Sequence, residues 1–159
     1  MMKSKKNKNL AQSFYNAAKG FLRALKAERN LRIDIVAAVL AAIFSYAYDL
    51  SREGCAVVAV VICAVIGAEL FNTSAERLAD AVTEEYNEHI RAAKDVASAA
   101  VFVTAAGAVI SGIVLFLTDT EKLITAIINI AFSPRALTAV ILTLILGTIF
   151  ILKYKERKS

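Results

Sequence analysis

Glu69-Leu70-Phe71-Asn72-Thr73-Ser74-Ala75-Glu76-Arg77-Leu78-Ala79-Asp80 is the stretch that decides the fold. It follows residues 55–68, an apolar run without a charge. Glu69, Asn72, Glu76 and Asp80 recur at spacings of three, four and four. At about 100° per residue they share a sector of roughly 80° on one helical face. Leu70, Phe71, Leu78 and Val82 point elsewhere. The spacing predicts a helix that leaves a membrane carrying two glutamates, an amide and an aspartate in one stripe. Acidic groups beside lipid are costly, which makes them functional candidates. The bland alternative is a solvated start to a cytoplasmic loop, and Glu69 sits too close to the apolar run for easy solvation.

The rest of the composition agrees with a membrane setting. The 159 residues are 58% hydrophobic, with a single proline and a mean hydropathy of +0.58. That is one domain's length and too apolar for an ordinary soluble protein. The net charge of +5 comes from basic residues at the two ends, beside apolar blocks. Such flanks mark cytoplasmic membrane faces and argue against nucleic acid as a partner. No signal peptide is expected, because the first apolar run begins near Leu31 with no small-residue cleavage pattern behind it. Cys55 and Cys63 lie eight residues apart in one apolar block, too far along a helix for a disulfide. They read as small buried apolar residues.

Working outward along the chain, residues 1–9 form a basic tail with Lys3, Lys5, Lys6 and Lys8, expected to be disordered. Residues 10–30 place Phe14, Ala17, Phe21, Leu22 and Leu25 at helical spacing among Lys19, Arg23 and Lys26. This predicts an amphipathic helix lying in the membrane interface. Spans are expected at 33–50, 55–71 and 96–117. The clean apolar core of the first, 35–47, is on the short side of the roughly 20 residues needed, and Tyr46 and Tyr48 flank it. Residues 49–54 form a polar turn. The third span is rich in Ala, Gly and Ser, which suits close helix packing in lipid. Residues 119–132 put Leu123, Ile124, Ile127, Ile128 and Ala131 on one face of an interfacial helix. Ser133-Pro134 signals a helix start, and 136–152 is a fourth span before a basic tail. The expected fold is all-α and integral to the membrane: a surface helix and a transmembrane helical bundle of four spans.

Lys and Arg sort across these spans. Sixteen fall on the side that holds both termini and the loop after span two, against three on the other. The positive-inside rule then places both termini in the cytoplasm. The same assignment gathers Glu28, the 69–80 stripe and Lys94-Asp95 on one side of the bilayer.

Carboxylates with a lysine and an amide beside lipid suit phosphoryl transfer, where catalysis is mostly positioning and charge stabilisation. Oxygen ligands such as Glu28 and Glu76 suit Mg²⁺. Lys94 suits the phosphates of a nucleotide. A partly desolvated carboxylate such as Glu69 is a candidate general base on a hydroxyl. No Gly-rich phosphate loop occurs, which excludes a soluble-type kinase. His89 is the one histidine, so a His-based metal site or triad has little to work with. A transporter would place ionisable groups near mid-membrane, and spans one, three and four have none there. A lipid-processing enzyme and a non-catalytic membrane assembly protein remain as competing readings.

Ala18-Lys19-Gly20, Glu28 with Arg32, the run from Glu69 to Glu76 with Asp80, Glu85-Tyr86, and Ala93-Lys94-Asp95 before Ser98-Ala99-Ala100-Val101 together carry a resemblance. Over about residues 13–117 the chain resembles the small prokaryotic diacylglycerol kinase/undecaprenol kinase family. The resemblance implies a homotrimeric membrane lipid kinase that transfers the γ-phosphate of ATP to a lipid hydroxyl, with Mg²⁺. Its active sites lie between protomers of three spans and a surface helix, so residues 10–117 form the kinase domain and 118–159 an addition. By the same resemblance Glu69 is the catalytic base, with Asn72 supporting it, and Glu28 and Glu76 hold the metal. Lys94 and Asp95 face the nucleotide, with Glu85, Tyr86 and Tyr15 as weaker contacts. Lys19, Arg32, Asp34 and Ser98 belong to the lipid or polar lining. Glu28 to Arg32 and Asn72-Thr73 look like the undecaprenol kinase branch. Residues 93–101 are closer to the diacylglycerol kinase wording. Undecaprenol is the substrate favoured.

Overall fold

The computed structural model describes residues 10–82 and 87–153. Among them the chain is all helical: α1 (Leu10–Ala27), α2 (Arg29–Ala47), α3 (Arg52–Val82), α4 (Glu88–Phe116), α5 (Thr120–Phe132) and α6 (Pro134–Lys153). Four of these, α2, α3, α4 and α6, are long and apolar enough to cross a membrane. The basic tails at 1–9 and 154–159, and the site candidates Glu85 and Tyr86, lie outside the described residues.

α1 is strongly amphipathic and almost wholly exposed along its length, with Ala24 buried. It ends earlier than the periodicity predicts. Glu28 takes an extended backbone (φ −97°, ψ 121°) and starts α2 as its N-cap residue. No glycine or proline marks this elbow. It is held instead by Arg32, whose Nη1 donates to the carbonyls of Leu25 and Lys26, both at 3.1 Å. These belong to the last turn of α1, where carbonyls run out of partners within the helix.

α2 closes on a Schellman turn. Leu50 N–H donates to the Ser45 carbonyl (3.1 Å) and Asp49 N–H to that of Tyr46 (3.2 Å). The left-handed position is filled by Asp49 (φ 52°) rather than glycine. Gly54, in the first turn of α3, is required by close approach: a Cβ there would stand 2.7 Å from Leu50 Cγ.

α3 and α4 form the main antiparallel pair, and α2 packs on α3. Thirty-one residues at 1.5 Å make α3 about 46 Å long, well beyond a hydrocarbon thickness of about 30 Å. Its last turns therefore stand clear of the hydrocarbon, which places the Glu69–Asp80 stripe where the helix emerges. Asn87 caps α4 by accepting from the N–H groups of His89 (3.0 Å) and Ile90 (3.2 Å). Asp119 caps α5 through Lys122 N–H (3.0 Å), and Ser133 caps α6 through Ala136 N–H (3.4 Å). Few of the described side chains are buried within the chain, and α4 buries none. Cys55 and Cys63 accordingly are exposed on its surface instead of buried, because an isolated span turns most of its apolar side chains outward.

Candidate active site

The α3 stripe forms as the spacing predicts. Glu69 is 5% exposed, against the apolar run that precedes it, while Glu76 is half-buried and Asp80 exposed. Asn72 Nδ2 donates to Glu76 Oε1 at 2.9 Å. Ser98 Oγ donates to Asn72 Oδ1 at 3.4 Å, which links the stripe to α4. Thr73, buried beside them, returns its hydroxyl to the Glu69 backbone carbonyl at 2.9 Å. The amide of Asn72 is thus held from both ends, and it orients one oxygen of Glu76 while leaving the other free of that bond.

The elbow brings Glu28 to the same place. Asp34, Glu28 and Glu76 are near enough for their charges to bear on the buried Glu69. Arg77 Nη2 stands 3.9 Å from Glu28 Oε1, with both side chains partly solvated, so the pair is a weak one. Helical spacing does not predict this contact, since Arg77 and Glu28 lie 49 positions apart. Like charges crowded in this way favour a bound cation. Among the described residues no three His, Cys, Asp or Glu side chains form a complete metal cage. Mg²⁺ needs less, since one or two carboxylates with waters and substrate phosphates satisfy it. The oxygen donors of Glu28 and Glu76 fit that requirement.

The remaining candidates separate into two groups. Lys94 pairs with Asp80 across α3 and α4, and Asp95 lies 4.0 Å from Arg91 one turn back. Both sit at the end of the bundle where the stripe emerges. Tyr15 and Lys19 lie on the exposed face of α1, the ammonium 6.0 Å from the ring centroid. Arg32 is 1% exposed, and its Nη2 also reaches the Ile151 carbonyl of α6 at 3.5 Å. Its guanidinium is therefore committed to helix ends. Asp34 has a buried carboxyl oxygen, Oδ2, without a hydrogen-bond partner among the described residues. It lines a hollow of about 250 Å³ between α2, α3 and α4 whose other walls are apolar or small, including Ala37, Val65, Ile66, Ala105 and Gly112. A larger hollow of about 740 Å³ lies at the opposite end, by the Asp49 turn, and Asp49 is the one carboxylate lining it.

Comparison with known proteins identifies the family. The family model described as prokaryotic diacylglycerol kinase matches residues 15–116, from within α1 to the end of α4. A protein of Synechocystis sp. described as a diacylglycerol kinase is 36% identical over 105 residues. The match takes in 65% of this chain and 60% of that relative, so the chain spans about three fifths of the length of the curated relative it matches. No solved structure matches the chain. With a family match over α1 to α4 and the carboxylate stripe at its centre, the chain belongs to the prokaryotic diacylglycerol kinase family.

Proposed function

We propose that this protein is an ATP-dependent lipid kinase of the bacterial plasma membrane, with residues 10–117 as the catalytic unit. The observation that carries the reading is the gathering of Glu28, Glu69 and Glu76, with Asn72 between them, at one end of the bundle. The reaction moves the γ-phosphoryl group of ATP to a lipid hydroxyl. Glu69 takes the hydroxyl proton, the hydroxyl oxygen bonds to the γ-phosphorus, and the bond from that phosphorus to the β,γ-bridging oxygen breaks, releasing ADP. Burial of Glu69 beside the apolar run suits a base that meets a lipid at the edge of the hydrocarbon.

Glu28 and Glu76 would hold Mg²⁺, which when bound neutralises the phosphate oxygens. Asn72 orients Glu76 for that task. Lys94 faces the nucleotide and exchanges Asp80 for a phosphate oxygen, and Asp95 lies beside it; Tyr15, Glu85 and Tyr86 are further nucleotide contacts. Asp34, Lys19 and Ser98 line the path of the lipid. The unpartnered Asp34 oxygen above apolar walls supports this, since a lipid hydroxyl is a donor that can enter there. The protein works as a homotrimer with both termini in the cytoplasm; the exposed apolar and small side chains of α4 support a partner or lipid against that helix.

Undecaprenol is the favoured substrate, on the wording of Glu28 to Arg32 and Asn72-Thr73. Diacylglycerol is the second reading, favoured by residues 93–101 and by the description of the Synechocystis relative. The purified protein, given γ-labelled ATP with undecaprenol or diacylglycerol separately, should label undecaprenol faster. Faster labelling of diacylglycerol would reverse the substrate order. No label in any lipid, with the helical fold verified, would leave a non-catalytic membrane assembly protein.

A further inference from the structure

Helices α5 and α6 lie beyond the stretch that matches the family, and the proposed reaction uses none of their residues. The packing of α6 nevertheless reaches the site. α6 runs against α2, and they approach closely at Gly147, where a Cβ would stand 2.8 and 2.9 Å from the two Val36 methyl carbons. A valine in a helix has one strongly preferred rotamer, so Val36 cannot turn aside cheaply. One turn from Gly147 is Ile151, and one turn from Val36 is Arg32. The glycine contact therefore sets the register that brings the Ile151 carbonyl to Arg32 Nη2.

The same guanidinium holds the last turn of α1 through Leu25 and Lys26. A planar fork of N–H donors can serve carbonyls of two helices at once, and its charge suits a helix C-terminus. At 1% exposure these bonds meet little competition from water. Glu28 lies one turn before Arg32, in the elbow between α1 and α2. We infer that α6 braces this elbow through Arg32 and so fixes the Glu28 carboxylate against the α3 stripe. Arg32 is a positioning residue, and the fourth span is an intramolecular support for the catalytic end. The brace itself rests on packing and hydrogen bonds; its kinetic consequence rests on the metal-holding role proposed for Glu28.

The test uses the full chain in lipid nanodiscs, with Cys55 and Cys63 changed to alanine. Spin labels replace Leu22 on α1 and Leu78 on α3, both exposed. With the labelled chain diluted into an excess of unlabelled chain, so that distances within one chain dominate, pulsed electron resonance should give one narrow distance distribution. Gly147→Val, which wedges α6 from α2, should broaden it, and adding Val36→Ala to make room should narrow it again. Arg32→Lys keeps the glycine contact but loses the fork, and should broaden it too. In unlabelled protein, Gly147→Val and Arg32→Lys should raise the Mg²⁺ concentration for half-maximal lipid phosphorylation about tenfold, while kcat at saturating Mg²⁺ changes far less. Narrow distributions in both variants overturn the brace, including when their melting temperatures fall. Broad distributions with an unchanged Mg²⁺ requirement overturn its link to Glu28. If the wild type phosphorylates no lipid, the functional reading fails while the distances still decide the brace.

Discussion

At one end of the bundle Phe116 meets Phe44 and Tyr48 edge to face beside the α2–α3 turn; at the other, the charges of Asp34, Glu28 and Glu76 bear on Glu69. The aromatic end is self-satisfied. Phe116 packs 5.1 Å from Phe44 and 5.2 Å from Tyr48, both T-shaped, the geometry that ring quadrupoles prefer. Lys122 of α5 covers the cluster, 5.0 Å from the Tyr48 ring and bonded to the Asp49 carbonyl at 3.0 Å. The carboxylate end opposes its own folding, because like charges there act on one another. One end is built to hold helices together. The other accepts a cost that a bound cation and phosphate would relieve.

That contrast is broken most directly at Glu69. Glu69→Gln keeps the size of the side chain, and the Thr73 hydroxyl bonds the backbone carbonyl at 69, so the fold should persist. Lipid-dependent ATP consumption should fall by about 10²–10⁴-fold. Melting should stay level or rise, because a like charge has gone. Wild-type turnover in this variant removes the base from the mechanism. Glu76→Ala is expected next in size: it frees Asn72 and removes one oxygen donor, raising the Mg²⁺ requirement by about 10–100-fold. An unchanged metal dependence would place the cation elsewhere.

How far these residues were legible varies with the kind of contact. The stripe itself follows from helical period, since Glu69, Asn72 and Glu76 sit within two turns. The four long apolar helices follow from composition, and the turn at 49–54 from its polar residues. A break between the surface helix and the first span was expected at 30–33, but its place at Glu28 was not legible, because no breaker residue marks it and its cause, Arg32, acts from the next helix. Nor was the partner of Arg32 at Ile151, 119 positions away. Lys94 and Asp95 stood out through family wording, yet the pairing of Lys94 with Asp80 depends on the register of α3 against α4. Periodicity reports what shares a face; it is silent on which faces meet.

The aromatic end should respond in the opposite way to the carboxylate end. Phe116→Leu removes two edge-to-face contacts, worth about 1–3 kcal/mol together. The thermal midpoint in detergent should drop, while the Mg²⁺ requirement holds. A kinetic loss equal to that of Glu76→Ala would show that the two ends are coupled through α4.

The smallest effect expected is a gain. Asp49 occupies the left-handed position of the Schellman turn, where a Cβ crowds the following carbonyl oxygen, a strain of roughly 1–2 kcal/mol that aspartate only partly escapes. Glycine has no such Cβ. The bonds that define the turn run from backbone N–H groups to the Ser45 and Tyr46 carbonyls, and Lys122 bonds the backbone oxygen at 49, so all survive the substitution. Asp49→Gly should therefore raise stability by up to about 1 kcal/mol, less whatever glycine loses in unfolded-state entropy. Lipid phosphorylation should be unchanged, since the turn lies at the end of the bundle away from Glu69. A fall in stability would mean that the Asp49 carboxylate contributes an attraction, with Lys122, bonded to the carbonyl of the same residue, a cation able to supply it. Asp49→Asn separates the two cases: it keeps the tolerance for a left-handed backbone and removes only the charge.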